Sequence, residues 1–232
     1  MASGDFSRTI VVVGMAFEAR IAARSGLRVV CAGNGHNLAT ALAEAIDKDC
    51  EGLISFGVAG GLKAGLRPGT CIVASDIVAD DRRYSTDRGR SQELLQRLPG
   101  ALSGILAGVR APVTTAHAKR ALQANTGALA VDMESHTVAD AAAQYGLPMA
   151  AVRVICDPAA RGLPDMAFRS VRADGTTNIA TLLQAIVRQP NHIPAMLRVA
   201  LDARAARATL ARCGRLLGPG LGLAEAMQAA RP

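Results

Sequence analysis

The chain has 232 residues, half of them hydrophobic, with aromatics at only 3%, no Trp and a formal charge of +7. That length holds one generous domain or two small ones with an ample core, and the charge admits anionic partners. Without basic–aromatic interleaving it excludes single-stranded nucleic-acid binding, and scattered Cys and His without a C-x-x-C exclude a disulfide framework or a structural zinc site.

Residues 8–14 read as a buried strand, because Thr-Ile-Val-Val-Val is β-branched and continuous. Gly14 ends it, and 17–24 forms a short helix carrying Glu18, alone an ordinary solvated helix residue. A second strand, 27–32, runs into the turn Gly33-Asn34-Gly35-His36-Asn37 and a helix over 38–49. A third strand, 52–56, is followed by a glycine-rich turn from Gly57 to Gly61, and a fourth, 71–78, comes after the Pro68-Gly69 turn. The polar stretch 80–97 alternates in charge, as a solvated loop, a helix face or a lid would. A short strand is expected at 113–116 and a helix at 118–124. Strand 128–131 then leads through Val131-Asp132-Met133-Glu134-Ser135 into a helix over 137–145. The apolar strand 149–156, interrupted by Arg153, stops at Asp157-Pro158. A loop over 161–173, helices over 176–188 and 193–217, and a loose tail over 218–232 complete the chain. Strands alternate with helices over short connections, so the expected fold class is α/β, a single domain over 1–217 with a central mixed sheet.

No run approaches the ~20 apolar residues of a membrane span, and the first run, 10–13, is too short for a signal-peptide core. A reduced cytoplasmic protein is expected, with no metal.

Three glycine-rich turns after strands can cradle a ligand with exposed N–H groups. The one at Gly33 lacks the last glycine of a dinucleotide fingerprint, where Leu38 stands, and the acidic residue at the end of the next strand. A nicotinamide enzyme is therefore disfavoured. Asp132 and Glu134 sit where a strand ends and a helix begins, the place where open α/β sheets bind ligands. Taken alone, the stretch is an ordinary helix start in which Asp132 caps and Glu134 meets the positive dipole end. Asp157 ends a buried strand, and alone it is equally a turn-forming residue before Pro. Arg153 lies four residues earlier and needs a carboxylate partner, for which Asp132 and Glu134 are both candidates. On a regular strand Arg153, Ile155 and Asp157 would share one face.

In chain order these blocks resemble the superfamily of purine nucleoside phosphorylases and methylthioadenosine/adenosylhomocysteine nucleosidases. The blocks are Val13-Gly14 with Glu18, Gly33-x-Gly35, Phe56 to Gly61, Val131 to Ser135, and Arg153 to Asp157. Thr126-Gly127-Ala128, Ser135-His136, Leu163-Pro164 and Asp174-Gly175 are similar to the hopanoid-associated branch, which is implicated in removing adenine from adenosylhopane. The resemblance implies that Asp157 protonates N7 of the purine. It implies that Met133 and Glu134 hold the ribose, Glu134 also facing the oxocarbenium-like transition state, and that Arg153 supports the carboxylates. Gly14, Gly57, Gly60 and Gly61 would border the nucleophile, and Glu18 joins the catalytic set. To act as an acid, Asp157 needs a pKa raised by burial or by a nearby carboxylate.

Val58 and Cys156 stand where relatives carry serine, and only Arg20 and Arg120 offer themselves as phosphate ligands. Hydrolysis and phosphorolysis both stay open, with no cofactor and phosphate as the one conceivable co-substrate. The expected partner is an adenine nucleoside, small or lipid-linked, and a homo-oligomer is expected. The alternatives are a methylthioadenosine/adenosylhomocysteine nucleosidase and a non-catalytic nucleoside-binding or membrane-associated module. Along 193–217, Ile193, Leu197, Leu201 and Ala205 recur at helical spacing beside a row of arginines. This is either a helix packed on the domain with a basic outer face, or a peripheral contact with anionic membrane at the inner face.

Overall fold

A computed structural model of the protein describes residues 8–31, 38–162 and 193–222. Eight strands form one mixed sheet: β1 (Thr9–Val13), β2 (Arg28–Cys31), β3 (Gly52–Gly61), β4 (Cys71–Ala79), β5 (Arg82–Ser85), β6 (Leu102–Gly108), β7 (Ala130–Asp132) and β8 (Met149–Asp157). The helices are α1 (Ala16–Ala22), α2 (Leu38–Ala45), α3 (Arg88–Arg97), α4 (Ala116–Thr126), α5 (Ser135–Tyr145) and α6 (Ile193–Leu217). The α/β class and mixed sheet expected from the residue pattern are what the protein has.

The pairing order is β2-β1-β3-β7-β6-β4-β5, and β8 adds to both β3 and β4. β8 runs parallel to β3 and antiparallel to β4. The pairings β3–β8–β4–β6–β7–β3 therefore close on themselves. Strand alternation splits the core into two layers. Val11, Val13, Phe56, Val152 and Val154 face Leu94 of α3 and Ala206, Leu210 and Leu217 of α6. Ile10, Val12, Leu53, Ala151 and Ile155 face Leu38 and Leu42 of α2 and Val138, Ala139 and Ala142 of α5. Covering both faces explains why the strands read as unbroken apolar runs.

Several local expectations are corrected. The Gly57–Gly61 stretch is no turn: β3 continues through it and pairs with β8 as far as Gly60. The polar stretch 80–97 is neither loop nor lid. It forms edge strand β5, whose Arg83 pairs with Asp76, and α3, capped by the Asp87 side chain on Arg90 N–H. Residues 113–116 hold no strand, whereas β6, poor in β-branched residues, went unpredicted. The turn at 33–37, the loop beyond Gly162 and the helix over 176–188 lie outside the described residues.

The stretch expected to be loose from 218 packs through Gly222: Leu221 is buried in the α6-side core. Leu221→Ala should therefore lower unfolding free energy by about 2–4 kcal/mol in urea denaturation. A loss below about 0.5 kcal/mol would mean that this stretch does not pack.

Candidate active site

The C-terminal ends of β1, β3, β7 and β8 meet in one place, and each contributes a polar group. β1 stops at Gly14 and α1 starts two residues later, which makes Glu18 its third residue. A glutamate there reaches back to the residues before the helix. Its carboxylate accepts the N–H groups of Gly14 (2.9 Å) and Met15 (2.8 Å), and across the sheet that of Val58 (2.7 Å). Glu18 is buried rather than solvated. Burial pushes its pKa up against Arg153 and these N–H bonds.

Asp132, the last residue of β7, caps α5 by accepting the N–H groups of Glu134 (3.1 Å) and Ser135 (2.8 Å). The helix-start reading is thus correct for Asp132. It also faces Arg153, which is wholly buried. Arg153 Nε lies 2.7 Å from Asp132 Oδ2, as an ion pair outside hydrogen-bond alignment. Nη2 lies 3.3 Å from Glu134 Oε2 and donates to Ser55 Oγ at 2.7 Å and Ser135 Oγ at 3.3 Å. Both candidate partners of Arg153 are therefore real ones. Burial works against the guanidinium charge, but Asp132, Glu134 and Glu18 outweigh it and hold its pKa above the ordinary value.

The glycines make this approach geometrically feasible. A Cβ on Gly14 would stand 2.5 Å from Glu134 Oε1, and one on Gly57 would stand 2.4 Å from Arg153 Nη1 and 2.5 Å from Glu18 Oε1. Alanine at either position would have to displace the site's charged groups. Both glycines leave room for side chains, and Gly14 also donates its N–H to Glu18. Glu134 keeps 16% of its side chain exposed and is the open face of the cluster. Burial, reinforced by Asp132 and Glu18 and opposed by Arg153, pushes its pKa up to about 8.

Asp157 forms a second centre. The β3–β8 register slips at Cys156, so Asp157 pairs with Gly60 rather than continuing the alternation from Arg153 and Ile155. The shared face expected for a regular strand is lost to this bulge. Gly60 and Gly61 give Asp157 its space: their Cβ atoms would stand 3.3 Å from its Oδ1 and 3.1 Å from its main-chain O. Gly57 and Gly60 lie three residues apart on β3, so the two centres sit roughly 10 Å apart along one strand. The carboxylate accepts the Cys156 thiol at 3.1 Å on Oδ1 and pairs through Oδ2 with Lys119, a fully buried lysine. Asp157 is buried, and its close partner is a cation rather than a carboxylate. Beside it lies a cavity of about 290 Å³ between Asp157, Arg161 and the α6 residues Ala195, Arg198 and Asp202.

The structure thus gathers Glu134, Glu18, Arg153, Gly14 and Gly57 at one centre, and Asp157, Gly60 and Gly61 at the other. Met133 instead lines a separate cavity of about 490 Å³ between α2 and α5, with Arg110, His136 and Tyr145. Arg20 and Arg120 are both exposed, on the surface of the protein. Among the described residues no three metal-ligating side chains converge. Lys119 carries no local signal in the sequence. For Glu18 a signal existed: it stands three residues after the helix-capping position.

A mixed α/β sheet with carboxylates at its strand ends is the frame of a nucleosidase- or phosphorylase-type enzyme. Residues 10–188 match the sequence model of the Phosphorylase superfamily, and the chain belongs to that family. Its fold is similar to that of the Helicobacter pylori 5′-methylthioadenosine/S-adenosylhomocysteine nucleosidase, at 18% identity and TM-score 0.62, over 79% of this chain and 99% of that one. The futalosine hydrolase of Helicobacter pylori matches at 18% identity and TM-score 0.62, over 79% and 98%. The methylthioadenosine/adenosylhomocysteine nucleosidase of S. pneumoniae matches at 17% and 0.61, over 88% and 96%. No curated protein sequence matches the chain.

Glu134 has a pKa near 8 in the folded protein against an ordinary 4.5, so the folded state holds a proton that the unfolded chain releases. The folded state binds more protons across that window, so stability falls as pH rises from about 4.5 to 8, then levels off. Glu134→Gln removes this dependence. Compared with the wild type, it should gain on the order of a few kcal/mol between pH 5 and pH 8 in urea denaturation. Parallel pH curves would contradict the raised value.

Proposed function

We propose that the protein hydrolyses the N-glycosidic bond of a 5′-modified adenosine and releases adenine. One observation carries this reading: three carboxylates, of Glu18, Asp132 and Glu134, surround a single guanidinium. Such a centre favours a developing sugar cation and disfavours a phosphate dianion. Neither Arg20 nor Arg120 reaches it to reverse the balance.

In this mechanism Glu134, the exposed member, receives the ribose hydroxyls and faces the oxocarbenium-like carbon. As C1′–N9 breaks, its electron pair leaves with the base, and a proton from the Asp157 centre reaches N7. Water adds to C1′ and gives up a proton to the Glu18 carboxylate. Arg153 holds Asp132 and Glu134 in place, and Gly14 and Gly57 leave them room. Support for adenine as the base comes from the fold relatives, which are described as methylthioadenosine/adenosylhomocysteine nucleosidases.

The proposed substrate is adenosylhopane, with methylthioadenosine or adenosylhomocysteine as the second reading. Two features support a lipid-linked substituent: the likeness of the 131–136 and 153–164 blocks to the hopanoid branch, and the outer face of α6. That helix buries Met196, Ala206, Leu210, Cys213 and Leu217. The expected stripe with Leu197, Leu201 and Ala205 points outward instead, with Leu197 61% and Leu201 56% exposed beside exposed Arg198, Arg204, Arg212 and Arg215. Apolar and cationic groups on one exposed face suit a peripheral contact with anionic lipid. No helix of the described residues is long and apolar enough to cross a membrane. A homo-oligomer remains part of the proposal.

Adenosine, methylthioadenosine and a lipid-linked adenosine, each with and without phosphate, test the reaction. Adenine should appear from at least one at a rate independent of phosphate, and Asp157→Asn should lower that rate by about 100-fold or more. No adenine from any of the three ends the catalytic reading, and strict phosphate dependence ends the hydrolytic one. For the membrane contact, Arg204, Arg212 and Arg215 changed together to Gln should abolish co-sedimentation with anionic vesicles. Unchanged binding, or no binding by the wild type, would end that part.

A further inference from the structure

Lys119 is the only buried side chain of α4, and it is fully buried. A lone lysine in a protein interior is costly unless every donor is satisfied. Its Nζ meets three acceptors: Asp157 Oδ2, Pro158 O at 3.1 Å and Arg161 O at 3.1 Å. An ammonium meets all three with N–H donors; a neutral amine meets them only if Asp157 carries the proton and donates it. Either way the pair holds one transferable proton at the Asp157 Oδ2 contact. Among the described residues, the charged groups next to this pair are engaged or open to solvent: Arg161 pairs with Asp202 at 2.6 Å, and Arg198 is exposed.

We propose that Lys119 is the proton reservoir of the site, acting through Asp157 on the leaving base. This rests on the N-glycosidic reading above. As C1′–N9 breaks and its electron pair passes to the base, Asp157 gives a proton to N7 and takes one from the Lys119 ammonium. The products at this end are neutral adenine, a neutral amine and the original carboxylate. At the other end the water that adds to C1′ releases a proton to the Glu18 carboxylate. Return of that proton to Lys119 through solvent restores the starting state, and the sum is nucleoside plus water giving adenine plus sugar. Placing the proton on a lysine explains how a carboxylate with a cationic neighbour can still serve as an acid. Lys119 touches no substrate in this scheme, so it is a positioning and proton-supplying residue.

The role predicts a dependence on the leaving group that a structural ion pair does not. The test measures kcat/KM for ribosides whose leaving groups range from adenine to 4-nitrophenolate, which departs without a proton. Lys119→Met, which keeps the aliphatic stem, should lose about 100-fold with adenine. The loss should shrink to within about fivefold for the most acidic leaving group that the wild type accepts. The companion is Lys119→Met with Asp157→Asn, which leaves no buried charge at the pair and so folds even where the single variant does not. It should lose no more with adenine than Asp157→Asn alone, within about threefold. A loss of equal size across the series, no loss with adenine, or an additive double variant would each overturn the proposal. A wild type that cleaves no riboside at all would instead sink the glycosidic reading on which it rests.

Discussion

The wholly buried guanidinium of Arg153 is the interaction on which the site depends. It lies in the middle of an apolar strand, where an isolated charge would cost several kcal/mol. Asp132 and Glu134 oppose its charge, and Ser55 and Ser135 accept from its Nη2. The same guanidinium opposes the burial that raises the pKa of Glu134. Losing it would strand Asp132 and Glu134 together, at a cost on the order of 3–5 kcal/mol. The end of β7, the start of α5 and the middle of β8 are thus locked into one arrangement by one side chain. Glu18 extends the lock to β1 and β3 through its three N–H bonds.

The two centres have opposite balances of charge, and that difference organises the chemistry. Around Arg153 the carboxylates outnumber the cation, and Glu134, its pKa raised by burial and then by Asp132 and Glu18, keeps an open face. Around Asp157 a single carboxylate meets a single ammonium, with carbonyl oxygens completing its shell. Anionic surplus at one end suits a sugar that becomes cationic. A proton held at the other end suits a base that must leave neutral. β3 makes both possible by carrying glycine at each contact: Gly57 beside Arg153 and Glu18, and Gly60 beside Asp157.

What was legible in the sequence divides along physical lines. Strands β1, β3, β4 and β8 announced themselves because both faces are buried, which leaves long apolar runs. β6 did not, because Gly104 and Gly108 make room for Leu129 and His136 at the expense of strand-forming residues. The partnership of Arg153 with Asp132 and Glu134 could be inferred, since a charge in an apolar strand demands an opposite one. The bulge at Cys156 could not, since pairing register depends on β3, a hundred residues away in the chain. Nothing around Lys119 distinguishes it from a surface lysine, because its three acceptors are supplied by Asp157, Pro158 and Arg161, far along the chain. Likewise the i+4 stripe with Leu197 and Leu201 looked like a packing face, yet the core took Met196, Leu210 and Cys213 of the same helix.

The central claim is that one nucleoside spans both centres, with its sugar at Glu134 and its base at Asp157. The most direct measurement is a crystal structure with an adenosine C-nucleoside, whose carbon–carbon glycosidic bond cannot be cut. Ribose hydroxyls are expected on the Glu134 carboxyl group, and the base nitrogen-7 position within hydrogen-bond distance of Asp157. A nucleoside seated in the cavity between α2 and α5, or one with its base against Arg153 and its sugar at Asp157, would contradict it.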